Sequence, residues 1–311
     1  MSHENWVDPQ SQPNAYYPPP MPPSYSSPPK WMKAKKRRVG CGCGSFFGGL
    51  LLALVIILTI YLFAPLRTNL LLLGIDYAPP GSSVSRSDTI ILATVIPTEP
   101  YIGVLSIPRD LWVNIPGIGE NRVNTAHFFA EAQQVGSGPK AAIDTIQQNF
   151  GVDVDYFVRI RFDGVRSVVD AMGGVDIDLD RPMAGYPAGR HHLTGNKALA
   201  FARHRLGADD FFRMEQGQLL IKAIFRQLLH PSMWPRLPSV VVAIMNEVDT
   251  NIPLWQWPRL ALALLRAGPD GLDNRTLERD MTTPFTTNQG ASVLLPDWSK
   301  INPLIEDMFG Y

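Results

Sequence analysis

The sequence predicts an α/β fold: a single α/β/α layered extracytoplasmic domain after one N-terminal transmembrane helix. Two observations carry that expectation. Along residues 66–311, short apolar runs rich in β-branched residues alternate with longer stretches of helical periodicity, the pattern of layered α/β domains. Ahead of them, Phe46 to Ala64 runs without a charge as FFGGLLLALVIILTIYLFA, long enough to cross a bilayer once.

In chain order, residues 1–29 form a Pro-rich leader, with nine prolines between positions 8 and 29. Such a composition cannot bury a core and is expected to be disordered. Residues 30–45 are basic, with Lys30, Lys33, Lys35, Lys36, Arg37 and Arg38; only Arg67 follows the apolar run closely. The positive-inside rule therefore puts the leader in the cytoplasm and residues 66–311 outside. A cleaved signal peptide is the rival reading, but the run and its leader are long for one and no small-x-small site follows Ala64. Strands are expected near 69–75, 89–96, 101–107, 155–162, 175–179 and 275–282. Helices are expected near 125–134, 139–150, 163–172, 194–203, 210–229, 254–267 and 298–309, with Thr194, Asp210 and Asp297 as N-caps.

Charge and cysteine usage narrow the function. Formal net charge is zero, but residues 46–311 hold 22 basic and 26 acidic residues, which argues against a nucleic-acid partner. Of those 22, 18 are arginine. Arginine suits bidentate recognition of phosphate or carboxylate, although codon bias gives the same count. The two cysteines, Cys41 and Cys43, precede the apolar run, so the domain has no disulfide and no thiolate metal site. They are lipidation candidates or bystanders in a Gly-rich hinge.

The chemistry concentrates between Leu70 and Asp110. Asp76 ends the first strand run, and Asp88 opens the next as Ser-Asp-Thr. If those strands are neighbours, the two carboxylates meet at one sheet edge. Two carboxylates with open positions suit Mg²⁺, which keeps water and substrate phosphate oxygens as its other ligands. Each Asp taken singly could merely cap a turn. Arg86 lies two residues before Asp88 and points the same way in an extended chain. Arg109 follows Pro108, with Asp110 placed to hold it. Arg122 sits in a loop before a helix, where it could turn back to the same place or stay on the surface.

A second cluster is LTGNKALAFARHRLGADDFFRMEQGQ, residues 193–218. Arg203 and Arg205 would diverge by about 200° on one helix and converge only if the helix ends near Arg203. Asp210 and Arg213 share a helix face. His191, His192 and His204 lack the partners of a metal site, and no GxSxG, HExxH or Walker A motif occurs. Ser106 has no His–Asp team and reads as structural. Aliphatic runs at 165–175, 219–229, 240–245 and 260–265 are core or the lining of a slot for a lipid tail.

Taken together, GID…SRSDT…SIPRD…NRVN, FDGV…VDAMGGVDID and LTGNKALAFARHR…DDFFR resemble the LytR–CpsA–Psr (LCP) family over roughly residues 68–230, with a similar tail at 290–309. The resemblance implies an anchored extracytoplasmic phosphotransferase with a buried lipid channel. Such an enzyme moves a glycopolymer, wall teichoic acid or capsule, from a polyprenyl-pyrophosphate carrier to a peptidoglycan sugar hydroxyl. It also implies that Asp76 and Asp88 hold Mg²⁺. Arg86, Arg109, Arg203 and Arg205 would then grip the pyrophosphate, with Asp210 and Arg213 beside them and Arg122 at the rim. One departure stands out. The family's Arg-x-x-Arg-Gln becomes Arg213-Met-Glu-Gln216-Gly217 here, with Gln216 and Gln218 as the available substitutes. The sequence leaves the base that takes the acceptor proton open among Asp88, Asp110 and Asp210. The alternatives to transfer are a non-catalytic carrier-binding or regulatory protein and a lipid-pyrophosphate hydrolase.

Overall fold

The computed structural model describes residues 16, 18–21, 43–64, 66–76, 87–204, 210–268 and 270–310. The expected leader and basic segment fall almost wholly outside the described residues, as do Arg86 and Arg205. The chain forms two compact units, Met1–Leu52 and Ala53–Tyr311. Helix α1 (Cys43–Phe63) is long and apolar enough over Phe46–Phe63 to cross a bilayer, and its side chains from Phe46 to Ile60 are exposed.

The second unit begins with β1 (Thr68–Ile75), β2 (Ser87–Ile96), β3 (Tyr101–Ile107), β4 (Trp112–Ile115) and β5 (Gly119–Arg122). Helices α2 (Thr125–Gln133) and α3 (Gly138–Phe150) follow, then β6 (Tyr156–Arg161), α4 (Phe162–Met172), β7 (Val175–Leu179) and β8 (Gly189–Leu193). Next come α5 (Gly195–Arg203), α6 (Asp210–Leu229), α7 (Leu237–Glu247), β9 (Val248–Thr250) and α8 (Trp257–Ala267). The chain closes with β10 (Leu272–Thr276), β11 (Thr282–Thr286), β12 (Ser292–Pro296) and α9 (Trp298–Phe309).

Six strands form one mixed sheet in the order β10-β3-β2-β1-β6-β9. β1 pairs antiparallel with β2 and parallel with β6, which explains why its LLLL run is apolar on both faces. Odd positions of β1 and even positions of β2, such as Leu71, Leu73, Ile90 and Leu92, pack with Ile146 of α3 and Ile305 and Phe309 of α9. The alternate positions face α4–α8, where Ile91, Ala93 and Val95 meet Phe225 of α6 and Ala263 of α8. A further cluster, from Val169 through Leu193 and Phe201 to Leu220, ties α4, the β7–β8 hairpin, α5 and α6 together.

The expected layering holds, with local differences. The strand expected over 275–282 is two strands, because the polar Glu278–Arg279–Asp280 turn breaks it after buried Leu277. Pro258 occupies the first turn of α8, so the helix starts at Trp257 and Leu254–Gln256 forms a separate 3₁₀ turn. The strands β4, β5, β8, β9 and β12 are short and fall outside the expected ones, whereas β7 lies where a strand was expected. The apolar run at 240–245 is helix α7, opened by Pro238.

Candidate active site

The site is built where β1 and β2 end. Ile75 pairs with Ser87, but Gly74 pairs with Thr89, so Asp88 is one extra residue in β2, a β-bulge. Gly74 allows the close approach: a Cβ there would meet the Thr89 side chain at 2.9 Å. Alternation along β1 puts Leu70, Leu72, Gly74 and Asp76 on the face turned toward α4–α8, and the bulge brings Asp88 to that face beside Thr89. Asp76, Asp88 and Thr89 all line the same cavity.

Arginines close around these acids. Arg109 donates from Nη1 to Asp88 Oδ1 at 2.6 Å, and its Nε lies 3.2 Å from Asp210 and 3.5 Å from Asp110. Its backbone N–H also donates to Asp210 at 3.3 Å. Asp210 opens α6 and bonds Arg213 one turn on. Helix α5 ends at Arg203, and His204 takes extended dihedrals. From that end Arg203 reaches Asp76 Oδ1 at 2.5 Å, its guanidinium 5.2 Å from the Phe162 ring centroid. Burial lifts the Asp210 carboxyl above its usual range, against the opposing pull of Arg213 and Arg109. For Arg109, burial opposes the charge, but the bond to Asp88 and the fields of Asp210 and Asp88 leave its pKa raised.

Beneath this polar mouth is a cavity of about 530 Å³, walled by Leu72, Val158, Ile160, Val165, Ile221 and Ile224 among other apolar side chains. Asp76, Asp88, Arg203, Asp210 and Arg213 stand in its wall. Arg109 bridges two of them, and Asp110 lies behind it, 3.3 Å from Arg122 Nε. Arg122 also donates to the Ser292 carbonyl at 2.7 Å. Gln218 does not line the cavity: its amide donates to the Arg275 carbonyl at 2.5 Å and to Ser106 Oγ at 3.1 Å. Gln216 is fully buried in α6, also away from the cavity, whereas Gly217 lines it with open space around its Cα. So neither glutamine fills the place the sequence reading offered it: Gly217, Leu220 and Ile224 occupy the α6 face that looks inward, and 216 and 218 flank it. Phe162, which packs under Arg203, and Ser106, in the cavity wall, were not singled out as site residues from sequence. Phe162 lay in the FDGV motif, which was the available signal.

The domain is a layered α/β/α fold in which acids and arginines stand across the mouth of an apolar cavity. Residues 66–308 match the model of the LytR_cpsA_psr family, and the chain belongs to that family. It is 30% identical over 192 residues to the polyisoprenyl-teichoic acid–peptidoglycan teichoic acid transferase TagU of Oceanobacillus iheyensis, covering 60% of this chain and 59% of that protein. TagU of Halalkalibacterium halodurans is 31% identical over 194 residues, 60% of this chain and 61% of that protein. The chain thus spans about three fifths of the length of the curated relatives it matches. The crystal structure of B. subtilis TagV shares the fold with a TM-score of 0.64 at 23% identity, over 79% of this chain and 98% of that one.

Proposed function

We propose that the protein is a membrane-anchored phosphotransferase. It moves a glycopolymer from a polyprenyl-pyrophosphate carrier to a sugar hydroxyl of peptidoglycan, with the leader in the cytoplasm and the domain outside. The observation that carries this reading is the union of an apolar cavity of about 530 Å³ with a mouth of acids and arginines. An isoprenoid tail fits the first and a diphosphate the second. Relatives bearing the transferase name support it.

In this reading Arg109, Arg203 and Arg213 exchange their carboxylate partners for diphosphate oxygens as the carrier enters. The acceptor hydroxyl oxygen bonds to the sugar-proximal phosphorus. The bond from that phosphorus to the bridging oxygen breaks, and the lipid leaves as a monophosphate. The arginines neutralise charge growing on that leaving group, and positioning does most of the rest. Asp210 takes the acceptor proton: it lines the cavity, and its raised pKa makes it a stronger base than an ordinary carboxylate. Asp88 and Asp110 hold Arg109 in place.

The donor set also fits Mg²⁺. Asp76 and Asp88 supply hard oxygens from adjacent strand ends. Two carboxylates leave the other coordination positions of such an ion to water and phosphate oxygens. Bound there, Mg²⁺ would supply Lewis-acid polarisation of the diphosphate.

The test is product analysis with full-length protein and a lipid-linked saccharide, with and without peptidoglycan fragments and with and without a chelator. Saccharide attached to peptidoglycan only when acceptor and divalent cation are present supports transfer. Free saccharide phosphate without acceptor marks a hydrolase. Carrier binding with no turnover marks a binding protein.

A further inference from the structure

The second half of the domain carries an apolar face with no partner among the described residues. Val241, Val242 and Met245 of α7, Leu254 and Trp255 of the turn before α8, and Leu265 of α8 are all exposed, Leu254 and Leu265 by 75% and 62%. Elsewhere in the described domain, exposed large apolar side chains are few and scattered, as at Ile118, Val135 and Phe285. The only carboxylates in 237–267 are Glu247 and Asp249, each bonded to a neighbour, Ser167 and Arg159. A patch of this kind marks an interaction surface.

The same segment holds the chain where it leaves the apolar helix. Buried Arg259 of α8 donates from Nη2 to the carbonyls of Ala64 and Leu66, at 3.0 and 2.6 Å. The Tyr61 hydroxyl donates to the Trp255 carbonyl, and the two rings lie 6.1 Å apart. Arg266 stands 5.4 Å from the Phe63 ring centroid. Tyr and Trp beside arginine at the end of an apolar helix are the side chains that settle at a membrane–water boundary. The exposed side chains of the turn before α8 and of α8 therefore adjoin the point where the anchor emerges.

We propose that the α7–α8 face rests in the headgroup layer of the membrane that the anchor crosses, with lipid as its partner. The cavity reaches toward the same elements: Ile244 of α7 and Trp257 and Leu264 of α8 are in its wall. α7 packs on α4, whereas α8 packs on β2 and β3. A carrier tail seated in the cavity would then lie beside the lipid on which the face rests. This last consequence rests on the transfer reading; the docking face does not.

The test uses full-length protein in vesicles of phosphatidylethanolamine and phosphatidylglycerol. Cys41→Ser and Cys43→Ser remove the two native thiols. Single cysteines then replace Val242, Leu254, Leu265 or, as control, Val135, 88% exposed between α2 and α3. Each carries an environment-sensitive fluorophore. Labels at the first three positions should shift to the blue, resist aqueous iodide and be quenched by spin-labelled lipid, while the Val135 label behaves as in water. Iodide quenching equal to that at Val135 overturns the proposal. Resistance to iodide without lipid quenching also overturns it, since a protein would then cover the face. In a Leu254→Asp/Leu265→Asp variant, a label at Val242 should lose its lipid quenching; full retention would show that these side chains do not carry the docking. Because no step requires turnover, failure here is distinct from failure of the transfer reading.

Discussion

The two faces of the central sheet use neighbouring residues of the same strands to opposite ends. On one face Leu71 and Leu92 are sealed against α3 and α9, with Phe309 and Ile305 filling the space. On the other, Leu72, Gly74 and Thr89 look into a cavity. The first face holds the fold together. The second forgoes packing that aliphatic side chains would otherwise provide, and the ionisable groups gather at its open end. What stabilises the protein and what equips it are separated by a single step along each strand.

The sharpest way to break this comparison is on the hollow side. Arg109→Ala should cut transfer by roughly 10²–10³-fold, by analogy with loss of one oxyanion-hole donor. The far-UV spectrum and melting transition should stay close to those of the parent. Undiminished turnover in the purified variant would remove Arg109 from the reaction. The next test sets the faces against each other. Leu92→Ala, in the filled face, should cost about 2–5 kcal/mol in urea unfolding. Ile160→Ala borders a space that already exists, so it should cost less than about 2 kcal/mol. Equal costs would mean that the cavity is closed in solution.

A third test uses pH. The folded state holds the Asp210 proton more tightly than the unfolded chain does. Its contribution therefore favours the fold at low pH and is lost as pH rises from the ordinary carboxylate range through the raised value. Transfer should show the reverse trend, rising as the carboxylate forms, and Asp210→Asn should remove that limb of the pH–rate profile. A limb that survives would assign the proton to another group. The smallest expected effect is at Gly217, inside α6. A Cβ there meets nothing within 4 Å, so Gly217→Ala should stabilise the helix by about 0.5–1 kcal/mol while narrowing the cavity by one methyl.

Much of the filled face was legible in sequence. The runs LLLL and IILATVI marked strands, and the expected bounds of β3, α3 and α9 differ from those found by at most one residue. The hollow face was legible only in part. Asp76 and Asp88 could be read as strand-end acids, but their arrival on one face depends on an irregular pairing that no periodicity announces. The aliphatic runs that wall the cavity look like core because the same residue types serve both purposes. Gln218 could be offered as a ligand-side group because position on a helix gives an angle, and only packing shows that this angle meets the Arg275 carbonyl. Arg109 was picked out as a phosphate ligand, yet its triple engagement with Asp88, Asp110 and Asp210 joins three distant segments, which local sequence does not encode.

The unpaired residue in β2 acts as a parity switch. Were the strand one residue shorter at that point, the side chain at position 88 would emerge among Ile75, Ile90 and Leu92. In that apolar layer a carboxylate would have to take up a proton or force the layers apart. The charge at the mouth is thus fixed as much by an odd number of backbone units as by the choice of aspartate. Any relative that lacks the extra unit would need its acid at a different position to keep the same chemistry.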